Sequence, residues 1–90
     1  MAGRIKITPE QIDAAANQFS QAGGQSQEMI SRLTRTINGM QPDWEGMASQ
    51  RFYSDFQNWS QQMSHFVEML NSISKQLTTI ANNFRQADHP

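Results

Sequence analysis

At residues 39–46 the sequence is Gly-Met-Gln-Pro-Asp-Trp-Glu-Gly, and this stretch separates two long helical patterns near the middle of the 90 residues. Pro42 cannot continue a helix, and it biases the residue before it away from helical backbone. Gly46 either supplies a positive φ or leaves room for a neighbouring group. We therefore expect a turn over residues 41–46, and such a short connection makes the flanking helices antiparallel neighbours.

The segment before the turn has the pattern of a long helix over about residues 9–40. Thr8 can cap the first free backbone N–H groups, Pro9 suits the first helical position, and Gln11 completes a capping box. Apolar or small residues then recur at alternating steps of four and three, which keeps one seam facing a partner helix. This seam consists of Ile12, Ala16, Phe19, Gly23, Ser26, Ile30, Leu33, Ile37 and Met40.

The segment after the turn has the same pattern over about residues 47–87, with more aromatic residues. Its seam consists of Phe52, Phe56, Trp59, Met63, Phe66, Leu70, Ile73, Leu77, Ile80, Phe84 and Ala87. Beside each seam a second line of residues recurs every seven positions, and it widens the face to about three positions in seven. A face this wide is typical of a bundle helix that has neighbours on more than one side.

One hairpin cannot cover both faces. We therefore predict a single all-α domain over residues 1–90, an antiparallel helix-turn-helix hairpin that dimerises into a four-helix bundle. The alternative is a monomer that keeps one apolar face in water. The predicted bundle and dimer core is formed by Ile12, Ala16, Phe19, Gly23, Ile30, Leu33, Ile37, Phe52, Phe56, Trp59, Met63, Phe66, Leu70, Ile73 and Leu77.

Composition and motifs give no indication of catalysis or of a cofactor. The net charge is −1 and basic residues are scattered, which disfavours nucleic-acid binding. Cysteine is absent, and His65 and His89 lack partners at metal-ligand spacing. We expect no enzyme activity, metal, cofactor or small-molecule ligand. Residues 1–7 contain no apolar stretch of the kind that a Sec signal peptide requires, and no run of 18 apolar residues suggests a membrane span.

Two features of the sequence leave alternatives open. Trp44 lies outside both seams, so it either covers the last turn of the first helix or serves as an exposed anchor for a partner. Gly23 and Gly24 lie inside the first helix, where each glycine costs roughly 0.8–1 kcal/mol relative to alanine. Gly23 is on the seam and is either a tolerated weak point or a place of close approach. Gly24 is off the seam and has no explanation.

The motif Trp44-Glu45-Gly46, placed between two heptad helices in a chain of this length, resembles the small WXG-motif (ESAT-like, Esx) proteins, the substrates of bacterial type VII secretion systems. The resemblance covers the whole chain. Members carry a C-terminal export signal in which a tyrosine and an acidic residue are separated by three residues. The matching positions here are Phe84 and Asp88, with phenylalanine in place of tyrosine.

The resemblance implies that the protein is secreted from a Gram-positive bacterium without a Sec signal and is cytoplasmic before export. It implies a head-to-tail dimer recognised by the membrane-bound FtsK/SpoIIIE-like secretion ATPase. The partner in that dimer is expected to be a second copy, with another WXG protein as the alternative. Two other functions remain open at this stage: a cytoplasmic adaptor or chaperone for a larger effector or toxin, and a membrane-active helical protein.

Overall fold

The chain folds into two long antiparallel helices, seen in a computed structural model that describes residues 6–44 and 46–87. Helix α1 spans Pro9–Met40 and helix α2 spans Met47–Ala87. A short 3₁₀ turn, Gln41–Asp43, follows α1 directly. The resulting rod measures 68 × 21 × 18 Å. The two-helix hairpin predicted from the sequence is confirmed.

The start of α1 has the capping arrangement that the sequence predicts. The backbone N–H of Gln11 donates to Thr8 Oγ1 at 3.1 Å, and the backbone N–H of Thr8 donates to Gln11 Oε1 at 2.8 Å. Pro9 occupies the first turn, where its missing N–H has no intrahelical partner to lose. The capping box therefore fixes the residue at which α1 begins.

The two helices approach closely because small residues line part of the seam between them. Ser74 donates its hydroxyl hydrogen to the carbonyl oxygen of Ala16 at 2.7 Å, so α2 lies almost against the backbone of α1. At Gly23, which is buried, an added Cβ would come within 2.6 Å of the side-chain oxygen of Asn71. Gly23 is thus a place of close approach, whereas Gly24 has nothing within 4 Å of an added Cβ.

The predicted core is only partly the interior of one hairpin. Five of its members are buried: Ile12, Ala16, Gly23, Ile30 and Leu70. Seven are half-buried: Phe19, Ile37, Phe52, Phe56, Met63, Ile73 and Leu77. The remaining three, Leu33, Trp59 and Phe66, are 50, 51 and 41% exposed and are not part of the interior of one hairpin. Two helices meet along one line only, and these three side chains lie beside that line. As the core of a four-helix bundle the set stays a prediction.

Candidate functional site

The turn between the helices is shaped by Gly46. Its φ of +116° is a backbone conformation that side chains strongly disfavour, and an added Cβ would meet nothing within 4 Å. Of the two explanations for this glycine, the positive φ is therefore correct. The carbonyl oxygen of Gly46 accepts from the hydroxyl of Ser49 at 2.7 Å and from the backbone N–H of Gln50 at 3.2 Å. These two bonds start α2 directly after the glycine.

Trp44 packs on the beginning of α2. Its ring centroid lies 5.3 Å from that of Phe52 and 5.9 Å from that of Tyr53, and the residue is half-buried. The rings that Trp44 contacts belong to α2, so its packing extends beyond the last turn of α1 that the sequence suggested as its place. The aromatic cluster continues along α2, where Phe52 lies 6.3 Å from Phe56 and 6.1 Å from Trp59. Trp44 joins the turn to this cluster. Glu45 lies outside the described residues.

One side of the hairpin carries six large apolar side chains, which we call the apolar face: Met29, Leu33, Trp59, Phe66, Ile73 and Ile80. Leu33 and Trp59 line the same hollow of about 200 Å³ together with Ile30 and Met63, so both helices contribute to this side. From Trp59 the remaining members on α2 follow at seven-residue steps, which keep side chains on one side of a helix. All of them except the half-buried Ile73 are exposed.

The other side of the hairpin is polar and uncharged next to the turn. A groove of about 600 Å³ lies there between Asn38 of α1 and Gln57 of α2. Tyr53 lines it and donates its hydroxyl hydrogen to the carbonyl oxygen of Ile37 at 3.3 Å, which ties the two helices together. Most of the side chains that line this groove are uncharged polar ones, whereas most of those around the hollow on the apolar face are apolar.

The open end of the hairpin is joined by charged side chains. The guanidinium of Arg85, in the last turn of α2, donates to Asp13 of α1 and lies 3.7 Å from Glu10. The hydrogen bond to Asp13 raises the pKa of Arg85 above its usual value, against the opposing effect of desolvation. We call these three residues the Arg85 clasp. Phe84, the predicted signal residue beside it, is half-buried, and Asp88 lies outside the described residues.

Some structural residues escaped the prediction. Ser49, Val67 and Ala81 are buried but were not in the predicted core. Val67 and Ala81 belong to the second line of α2, which consists of Tyr53, Ser60, Val67, Ser74 and Ala81, and that line was the signal that could have identified them. The Arg85 clasp joins residues 72 positions apart. The only sequence-based reason to expect it is that an antiparallel hairpin brings the start of α1 close to the end of α2.

Neither a metal-binding cluster nor a membrane span is found in the described part of the chain. Within residues 6–44 and 46–87, no group of three His, Asp or Glu side chains could hold a metal ion. His65 is exposed on the surface of α2. None of the described helices is long and apolar enough to cross a bilayer. The features that distinguish this hairpin are therefore its turn, its apolar face and its open end.

Comparison with known proteins identifies the family of this chain. The family model for proteins of 100 residues with a WXG motif (WXG100) matches residues 4–89. The chain belongs to the WXG100 family. The type VII secretion system extracellular protein A of Staphylococcus aureus is 33% identical to this WXG100 protein over 84 residues, which are 93% of this chain and 87% of that protein.

Solved structures agree in fold with this WXG100 protein. The secreted protein EsxB of Bacillus anthracis superposes with a TM-score of 0.87 at 37% identity, covering 99% of this chain and 100% of that one. EsxA of Geobacillus thermodenitrificans superposes with a TM-score of 0.84 at 27% identity, covering 94% of this chain and 92% of that one. Because its family and these relatives are those of type VII secretion, the chain is a small secreted protein of a type VII secretion system.

Proposed function

We propose that this protein is exported as a folded homodimer, a four-helix bundle of two hairpins arranged head to tail, and that the membrane-bound secretion ATPase recognises the ends of that bundle. The protein has no catalytic role in this proposal. The observation that carries it is the apolar face, on which Leu33 and Trp59 are half exposed around a wholly apolar hollow. Soluble monomers rarely leave large contiguous apolar patches in water, so a partner surface is expected there.

The distribution of large and small residues supports the head-to-tail arrangement. Along α1, the apolar side carries Ala15 and Ala22 in the half near the open end, and Met29 and Leu33 in the half near the turn. In a head-to-tail pair the turn half of one copy meets the open half of the other. Where α1 of one copy packs against α1 of the other, large side chains then lie over small ones, as close packing favours. A parallel contact between the two α1 helices would place large side chains on large ones near the turn and small on small near the open end.

A head-to-tail pair also creates a composite end. The turn of one copy, with Trp44 and Gly46, lies beside the end of α2 of the other copy, with Phe84. Each bundle then presents two equal ends, and each end combines the family motif with the predicted export segment. A net charge of −1 per chain gives little self-repulsion against this association.

Solution mass tests the dimer directly. Light scattering should give about twice the chain mass of 10.3 kDa, and the dimer should persist on dilution. A well-folded particle of single-chain mass at micromolar concentration would overturn the bundle.

Secretion tests the export segment. Phe84→Ala and Asp88→Ala should each prevent release into the culture supernatant while the dimer stays soluble. Phe84→Tyr, which keeps the ring, and Gln86→Ala, which changes an exposed neighbour, should be released normally. Normal release of both alanine variants would contradict the signal assignment. The extracellular relatives do not favour the alternative of a cytoplasmic adaptor.

A further inference from the structure

The contact between the last turn of α2 and the first turns of α1 suggests a role for a residue inside the export segment. We infer that Arg85 is a positioning residue for export: the Arg85 clasp holds the last turn of α2 helical and keeps Phe84 on the side of the apolar face. This inference rests on the proposed function, since it concerns how the export segment is presented. Arg85 itself is not the residue that a partner recognises in this proposal.

The Arg85 clasp lies where the buried apolar packing between the two helices ends. Ala81 has no exposed surface, and among the described residues it is the last fully buried apolar side chain of α2. Beyond it, Phe84 is only half-buried, and the final carbonyl groups of a helix have no intrahelical partners. A helix end of this kind frays unless other groups hold it. Arg85 lies one turn after Ala81 and reaches α1 from the same side of α2.

The guanidinium of Arg85 is held from two sides. One nitrogen donates to the side-chain oxygen of Asn82 on α2 at 3.3 Å, and the other donates to Asp13 on α1. Glu10 lies 3.7 Å from the second nitrogen. The side chains of Arg85 and Asp13 are 37 and 39% exposed, so water screens the contact only in part. The clasp therefore links the ends of the two helices through one side chain.

The clasp also determines which way Phe84 points. Adjacent residues of a helix are about 100° apart, so fixing Arg85 toward α1 fixes Phe84 to one side of it. Phe84 follows Ile80 by one turn and Leu77 by two, and Ile80 belongs to the apolar face. In the proposed bundle that direction brings Phe84 to the composite end. A frayed last turn would leave the ring without a defined position.

Hydrogen exchange measures the fraying. In Arg85→Gln and in Asp13→Asn, the amides of residues 82–87 should exchange roughly two- to fivefold faster, the size expected for a partly exposed ion pair. The double variant should match Arg85→Gln, because removal of Arg85 already removes its contact with Asp13. Arg85→Lys should restore much of the protection. Arg51→Gln removes the same charge at an exposed position near the turn and should change nothing at residues 82–87. Unchanged exchange in Arg85→Gln would overturn the inference.

Secretion of the same variants, with Phe84→Ala in parallel, separates the inference from the proposed function. If Phe84→Ala is retained and both Arg85→Gln and Asp13→Asn are released more slowly at unchanged thermal midpoint, the positioning role is supported. If Phe84→Ala is retained but Arg85→Gln and Asp13→Asn are released normally, the positioning role is wrong and the export segment stands. If Phe84→Ala is released normally, Phe84 is not a recognised residue of the export segment, and the inference falls; the segment as a whole is wrong only if Asp88→Ala is released normally as well.

Discussion

Truncation of Leu33 to alanine should weaken the dimer by a predictable amount. Burying a whole leucine side chain contributes about 1.5–3 kcal/mol. Leu33 is 50% exposed in the single hairpin, so about 1 kcal/mol of that remains to be gained on association. A two-fold dimer contains the residue twice, and Leu33→Ala should therefore cost about 2 kcal/mol per dimer. This corresponds to a roughly thirtyfold higher dissociation constant.

Sedimentation equilibrium over a dilution series measures this dissociation constant. The matched control is Asn38→Ala, an exposed residue of the same helix that lies in the polar groove on the other side of the hairpin. The two positions differ by five in number, which places them about 140° apart around α1. The control should leave the dissociation constant unchanged. If Leu33→Ala dimerises as well as the parent, or if Asn38→Ala weakens the dimer equally, the apolar face is not the interface.

Substitutions at four further positions test the fold. Gly24→Ala should stabilise the hairpin by about 0.8–1 kcal/mol in chemical denaturation, because the added Cβ meets nothing within 4 Å. Gly23→Ala should stabilise it clearly less, since its Cβ would displace the side chain of Asn71 on α2. Equal stabilisation by the two variants would contradict the packing described. Thr8→Ala should lower the free energy of unfolding by about 1 kcal/mol through loss of the cap, whereas Thr8→Ser should keep it. Gly46→Ala should cost about 1–2 kcal/mol because of its positive φ, and an unchanged denaturation midpoint would show that the turn relaxes without strain.

The helices were predictable from the sequence because their signals are local. The capping box at Thr8 involves residues three positions apart, and Pro42 stops a helix whatever surrounds it. The seven-residue repeats likewise indicate which side of each helix is apolar and packs against a partner, but they do not indicate whether that partner is the other helix of the same chain or a second chain. Leu33 and Trp59 lie on that side and are still half exposed in the hairpin. The periodicity therefore does not distinguish residues that pack within one chain from residues that we expect to pack between two chains.

The details of the turn and of the open end depend on geometry that no local pattern contains. Whether Gly46 provides a positive φ or space depends on its backbone angle, and residue types allow both. Which helix Trp44 packs on depends on the direction in which the chain leaves Pro42. The Arg85 clasp joins two helix ends whose distance is set by the register of the whole hairpin. Among charged residues this scattered, the sequence offers no reason to single out that pair.

The packing of Trp44 changes how the family motif should be interpreted. Its ring is half-buried on Phe52 and Tyr53, and Gly46 gives the turn a backbone conformation that other residues disfavour. Both residues of the motif thus stabilise the turn within one chain, before any partner is present. Loss of export on truncating Trp44 would therefore not by itself show that a partner contacts the ring. Only the part of the ring left exposed is available to another protein, so a partner that recognises this end must also contact the residues around the tryptophan.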